Sequence, residues 1–171
     1  LVGSEMCIRD RIRRMENELE VVNIRLVKEP SLYSEQILDS PQAVVELMGK
    51  ELSQYDREVF CILNMKNNGQ VINMNLVSAG TINASLVIPR EVFKSSILAN
   101  ASAIIGLHNH PSGNVKPSKE DMIVTRKLQK CGQLLGIELL DHIIVGGTNG
   151  KMLSFREEKM LNVTGRMDWE R

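Results

Sequence analysis

Two of the three histidines in this chain, His108 and His110, stand two residues apart where an apolar run, Ala103 to Leu107, gives out. In an extended segment residues i and i+2 project to the same side, so both imidazoles can share one metal ion. A third ligand must come from elsewhere, and Asp121 is placed to supply it. It falls in the first turn of the helix that the Pro-Ser-Gly loop leads into, three residues before apolar Val124, and so leans toward that helix's buried stripe. Two imidazoles and one carboxylate leave a fourth position for water, the arrangement of a catalytic zinc rather than of a structural site, which closes with four protein ligands. Zinc lowers the pKa of such a water to about 7 and polarises a carbonyl under attack. Glu58 is the candidate general base, since an acid at the mouth of an apolar strand costs desolvation unless it has a partner or a task.

Each residue also has a plainer reading. Paired histidines at a strand end can be surface or hydrogen-bonded structure, and Ser118-x-x-Asp121 matches a capping box that merely satisfies helix N-terminal groups. Glu58 can be a solvated strand end, with Glu51 or Glu91 as competing bases. His142 interrupts an apolar strand beside Asp141, and either reaches the site or serves as a hydrogen-bonded structural histidine. Cys131 reads as packing within its helix. A two-histidine, one-carboxylate set also suits non-haem iron(II), so one zinc per chain is the expectation and not the only ion that fits.

The elements that must position these residues can be read from patterning. Val21 to Val27 reads as a strand. Ser40 as N-cap and Pro41 at the first position open a helix to about Leu52, with Val44, Val45, Leu47 and Met48 on its buried side. Glu58 to Leu63 runs almost continuously apolar, as a central strand covered on both faces does. After the Asn67-Asn68-Gly69 turn, Ile72, Met74 and Leu76 alternate with Asn73 and Asn75 in the second arm of a hairpin. Pro89 starts a helix carrying Val92, Phe93, Ile97 and Leu98. The Ala103 to Leu107 strand ends in His-Asn-His-Pro, and a loop from Ser112 to Pro117 follows. The longest helix covers Ser118 to about Leu135, with a stripe of Val124, Leu128, Cys131 and Leu135, and Gly136 stops it. Strands from Leu139 to Val145 and from Met152 to Phe155 close the fold. Interleaved strands and helices with a hairpin predict an α/β or α+β class, a mixed sheet flanked by helices.

Composition narrows the function classes. Of 171 residues, 43% are hydrophobic and 25% charged, a globular profile with material for one domain. The 21 basic and 21 acidic residues balance, which gives a nucleic-acid partner no support from charge while leaving a local patch open. Cys7, Cys61 and Cys131 lack any C-x-x-C pairing, pointing away from a disulfide framework and toward the cytoplasm. No apolar run approaches the roughly 20 residues that span a bilayer, so no membrane partner is expected. Residues 1–20 read as a disordered or non-native leader, the first eleven resembling translated adapter sequence, with Met15 a candidate natural start. Residues 21–157 form the expected domain and 158–171 a charged tail.

The string His108-Asn109-His110-Pro111-Ser112-Gly113, followed by Pro117-Ser118 and Asp121, resembles the JAMM signature H-x-H-P followed by Ser-x-x-Asp. Val87-Ile88-Pro89-Arg90-Glu91-Val92-Phe93, Gly136-Ile137 and Asp141-His142-Ile143-Ile144 are similar to the RadC branch of that superfamily, so the resemblance extends from about Asn23 to Phe155. It implies an MPN (JAMM) fold with cytidine-deaminase-like layering, and a zinc-dependent peptidase or isopeptidase mechanism on a peptide or protein substrate. By position it makes His108, His110 and Asp121 the zinc ligands, Glu58 the acid/base, and Ser118 a donor that steadies the tetrahedral oxyanion. Longer RadC proteins carry an N-terminal helix-hairpin-helix module that nothing here matches, so the chain reads as a stand-alone JAMM domain.

Two classes of function therefore remain. One is a metallopeptidase-like hydrolase; the other is a non-catalytic, metal-containing binding module associated with DNA repair or mobile elements. A deaminase needs H-x-E with P-C-x-x-C, whereas the residue two after His108 is His110 and no cysteine pair exists. The residues named in an HNH nuclease are dispersed along a ββα unit, so His-Asn-His is a coincidence of letters.

Overall fold

A computed structural model describes residues 37–80, 87–147 and 149–161. The expected leader, the strand at Val21 to Val27, and most of the tail lie outside the described residues. Within them run α1 (Pro41–Leu52), β1 (Val59–Met65), β2 (Val71–Ala79), α2 (Pro89–Leu98), β3 (Ala103–Asn109), α3 (Lys119–Leu135), β4 (Glu138–Gly146) and β5 (Lys151–Ser154). The five strands form one mixed sheet in the order β2-β1-β3-β4-β5. β3 and β4 pair in parallel, as the α3 crossover between them requires, while the other neighbours are antiparallel.

Local chemistry sets the element ends. Ser40 Oγ accepts from Ala43 N at 3.2 Å and Pro41 occupies the first turn of α1. Gly69, at φ 82°, supplies the left-handed residue that turns β1 into β2. Gly136, at φ 68°, ends α3.

The central strands β1 and β3 are buried at every position, which is why they read as unbroken apolar runs. Alternate residues feed two cores. Val59, Cys61, Leu63, Ile105, Leu107 and Ile143 pack with Val44, Met48 and Leu52 of α1. On the other face Phe60, Ile62, Ile104 and Ile144 pack with Val92 and Phe93 of α2 and with Val124 and Leu128 of α3. A fully buried Leu or Phe in such a core contributes about 1.5–3 kcal/mol. The result is a sheet sandwiched between α1 and the α2/α3 pair.

Apolar spacing does not match burial at every position. Ile97 and Leu98 of α2 are 56% and 36% exposed, and Ser96 takes the inward position instead. Leu135 is 48% exposed, because the buried stripe of α3 follows Asp121, Val124, Thr125, Leu128 and Gly132. Gly132 is small because a Cβ there would stand 2.4 Å from Ile137 O, where the chain folds back toward β4. In β2, Met74 and Leu76 are the more exposed members of the alternation, since this strand forms one edge of the sheet. No helix among the described residues is long and apolar enough to cross a membrane.

Candidate metal centre

The three expected ligands meet at the carboxyl end of β3, where an open α/β sheet offers a crevice beside the start of the crossover helix. β3 carries His108 within it and His110 just past its end. His110 N still donates to Val145 O at 2.8 Å, so the ladder to β4 holds the backbone extended through both histidines. Their Nε2 atoms converge to 2.9 Å. Asp121 Oδ1 lies 3.4 Å from His108 Nε2, and Oδ2 lies 3.7 Å from His110 Nε2. One donor atom from each of the three falls within 4.8 Å of the others, as a shared ion needs.

The chemistry of these donors fits a cation. His110 Nδ1 lies 2.6 Å from Asn114 O, and a carbonyl oxygen only accepts, so Nδ1 carries a proton and Nε2 presents a lone pair in the neutral ring. That lone pair faces His108 Nε2 and a carboxylate whose side chain is 3% exposed. Electron-rich atoms gathered this closely out of water repel one another unless a cation stands among them. Two nitrogens, one oxygen and no thiolate suit zinc or iron(II) better than calcium.

Asp121 is fixed by the helix it opens. Its Oδ2 accepts from Ser118 N at 2.7 Å and from Ser118 Oγ at 2.6 Å, while Ser118 Oγ accepts from Asp121 N at 3.1 Å. This is a full capping box, and Oδ1 remains free to face His108. The residue that caps α3 thus also keeps one carboxylate oxygen directed at the histidines. The hydroxyl proton of Ser118 points at Asp121, so holding the carboxylate is its role in this arrangement.

The loop from Pro111 to Pro117 is tied at several points. Gly113 N donates to His110 O at 2.9 Å, and Asn149 Nδ2 donates to Gly113 O at 2.9 Å, anchoring the loop to the turn before β5. Gly113 has φ 79°, and a Cβ there would sit 2.5 Å from Asn149 Nδ2, so both conformation and space call for glycine.

Glu58 stands one residue before β1 and is half-buried; its carbonyl accepts from Gly80 N at 2.8 Å. Asn109, between the two histidines, brackets it. Its Oδ1 takes Val59 N–H at 2.7 Å and its Nδ2 donates to Arg57 O at 3.0 Å. Phe60 pairs with His108 in the last step of the antiparallel ladder, and Glu58 precedes Phe60 by two residues. Glu51 is on α1, which packs on the opposite face, and Glu91 on α2 is ion-paired with Arg90 and Lys94.

His142 does reach the site. Its Nε2 lies 2.8 Å from His108 Nδ1 and its Nδ1 lies 2.6 Å from Thr125 Oγ1. Burial holds His108 well below the usual histidine range, with His142 adding to the shift and Asp121 opposing it. Burial brings His142 down to about 3, with a smaller contribution from His110. Both rings are therefore neutral near pH 7, the form a metal ligand and its hydrogen-bond partner need. Thr125 has no counterpart in the sequence expectations; its only signal is its place four residues after Asp121, on the same helix face. Cys61 is buried, which pushes its thiol up to about 12 and leaves it unreactive.

A family model described as "RadC-like JAB domain" matches residues 38–160. Among similar proteins, a UPF0758 protein of Desulfitobacterium hafniense is 44% identical over 125 residues, covering 73% of this chain and 54% of that protein. One of Moorella thermoacetica is 44% identical over 128 residues, covering 75% and 55%, and one of Symbiobacterium thermophilum is 45% identical over 124 residues, covering 72% and 52%. The chain spans about half the length of these relatives.

Proposed function

The chain belongs to the RadC-like JAB domain family, and on that premise we propose that it is a zinc-dependent hydrolase of peptide or isopeptide bonds in a peptide or protein substrate. The observation that carries this reading is the convergence of His108, His110 and Asp121 at the end of a buried strand, with three protein donors among the described residues. Three donors leave a coordination position for substrate or water, as catalytic zinc sites do. When bound there, zinc supplies a nucleophilic water at neutral pH and Lewis-acid polarisation of the scissile carbonyl.

The protein's own groups do the rest. His108 and His110 offer ring Nε2 atoms from a backbone paired with β1 and β4, and Asp121 offers an oxygen oriented by Ser118. Glu58 takes a proton on its carboxylate from the attacking water and returns it to the leaving amine. Asn109 keeps the peptide on either side of Glu58 in register with the histidines. Ser118, after releasing its hydrogen bond to Asp121, steadies the developing oxyanion.

The test is cleavage of a panel of peptide and isopeptide substrates by zinc-loaded protein, with Glu58→Gln as the control. General-base removal lowers turnover by about 10²–10⁴-fold while zinc stays bound. Retained zinc with no Glu58-dependent turnover on any substrate would instead favour a binding module that keeps the ion for structure.

A further inference from the structure

We propose that His142 and Thr125 are positioning residues that fix the tautomer of His108, so that its Nε2 presents a lone pair to the ion and never a proton. The consequence for metal binding rests on the metal-centre reading above; the tautomer itself does not.

The assignment follows from one atom that cannot donate. Thr125 Oγ1 lies 2.7 Å from the carbonyl oxygen of Asp121 and 2.6 Å from His142 Nδ1. Two oxygens at that distance repel unless a proton lies between them, and the only proton available is the hydroxyl's. Thr125 therefore donates to Asp121 O and must accept from His142 Nδ1–H. A neutral imidazole has a single N–H, so His142 Nε2 is bare and accepts from His108 Nδ1–H across 2.8 Å. His108 Nε2 is then bare as well. The chain starts at the backbone of one ligand and ends at the ring of another.

Packing prevents the middle ring from turning out of this chain. Phe155 stacks on His142 with centroids 4.7 Å apart, and Phe60 meets it edge-on at 5.5 Å. Gly106 lies opposite His142 in the parallel ladder, and a Cβ there would come 3.5 Å from His142 Cδ2 and 3.3 Å from Phe60 Cζ. The partner of a metal-bound histidine is commonly a carboxylate or backbone carbonyl. Here an imidazole occupies that place, and the carbonyl stands one group further out. The opposite tautomer would let His108 donate from Nε2 to His110 Nε2, 2.9 Å away, satisfying the pair internally and excluding an ion.

The chain has three histidines, so ring-nitrogen NMR of metal-free protein can read each tautomer directly. The wild type should show His108 protonated at Nδ1. Thr125→Val removes the hydroxyl at nearly constant volume and should give mixed His108 tautomers. It should also weaken zinc binding, measured by chelator competition, by about 10–100-fold. Thr125→Ser should restore both, a rescue that a merely space-filling threonine would not produce, and His142→Phe, which keeps the ring but not the acceptor, should resemble Thr125→Val. His108 protonated at Nε2 in the wild type, or Thr125→Val with an unchanged tautomer and unchanged zinc affinity, would overturn the proposal. A wild type that binds no zinc, but whose His108 tautomer responds to Thr125→Val, keeps the relay and refutes the metal-centre reading alone.

Discussion

Asp141 gives the fold a pH dependence that one substitution can isolate. The carboxylate is fully buried beside His142, where Oδ1 accepts from His142 N at 2.7 Å and Arg156 N at 3.0 Å, and Oδ2 accepts from Ser154 Oγ. Burial outweighs these bonds and raises its pKa from 3.8 to about 6. The folded state therefore holds this proton more tightly than the unfolded chain does, and between about pH 4 and 6 stability falls as pH rises. Two pKa units correspond to about 3 kcal/mol in full, of which about 2 kcal/mol develops between pH 4.5 and 8. His108 and His142 act in the opposite direction. Their folded-state values lie below 6.5, so their contribution is present above that pH and is lost as pH falls toward the folded values. The wild-type curve alone mixes these effects, and the difference from Asp141→Asn separates them. Asparagine keeps an oxygen for the two N–H groups and can donate to Ser154 Oγ, which has a lone pair left after accepting from Glu157 N. Urea unfolding of both proteins in chelator, from pH 4.5 to 8, should show the variant gaining about 2 kcal/mol on the wild type as pH rises. A difference that stays flat across this range refutes the reasoning.

Two further outcomes follow from the site. Zinc at 100 times its dissociation constant should add about 2.7 kcal/mol to stability, seen as a rise in melting temperature, and Asp121→Asn, which can still cap α3, should abolish most of that rise. Asn109→Ala leaves the buried Val59 N–H without its partner and should cost about 1–3 kcal/mol in urea unfolding. It should also lower turnover on any substrate whose cleavage depends on Glu58.

The sheet was legible because burial on both faces writes itself as Val-Phe-Cys-Ile-Leu and Ala-Ile-Ile-Gly-Leu, and because Pro41, Pro89, Gly69 and Gly136 mark element ends by conformation alone. The clustering of the three candidate ligands was legible for the same kind of reason: strand period brings His108 to His110, and helix period turns Asp121 inward. The outer arrangement was not. Thr125 and Asn109 are small polar residues whose meaning depends on partners 17 and 50 residues away, and no local period reports such a pairing. Leu135 misled because helical spacing places a residue on a face without saying how far the neighbouring element extends to cover it.

Asp121 is the cap of α3, and the same arrangement directs its carboxylate at the two histidines, for a physical reason. A helix start leaves N–H groups that need acceptors, and its dipole favours a negative charge there. A carboxylate has two oxygens, so one can answer the helix while the other faces the ion. The bonds that begin α3 are thereby the bonds that orient the carboxylate toward His108. It follows that a change at Ser118 cannot be read as a loss of oxyanion stabilisation alone. Removing its hydroxyl also takes away a cap worth about 1 kcal/mol and releases the carboxylate, so turnover is interpretable only beside zinc affinity measured on the same variant.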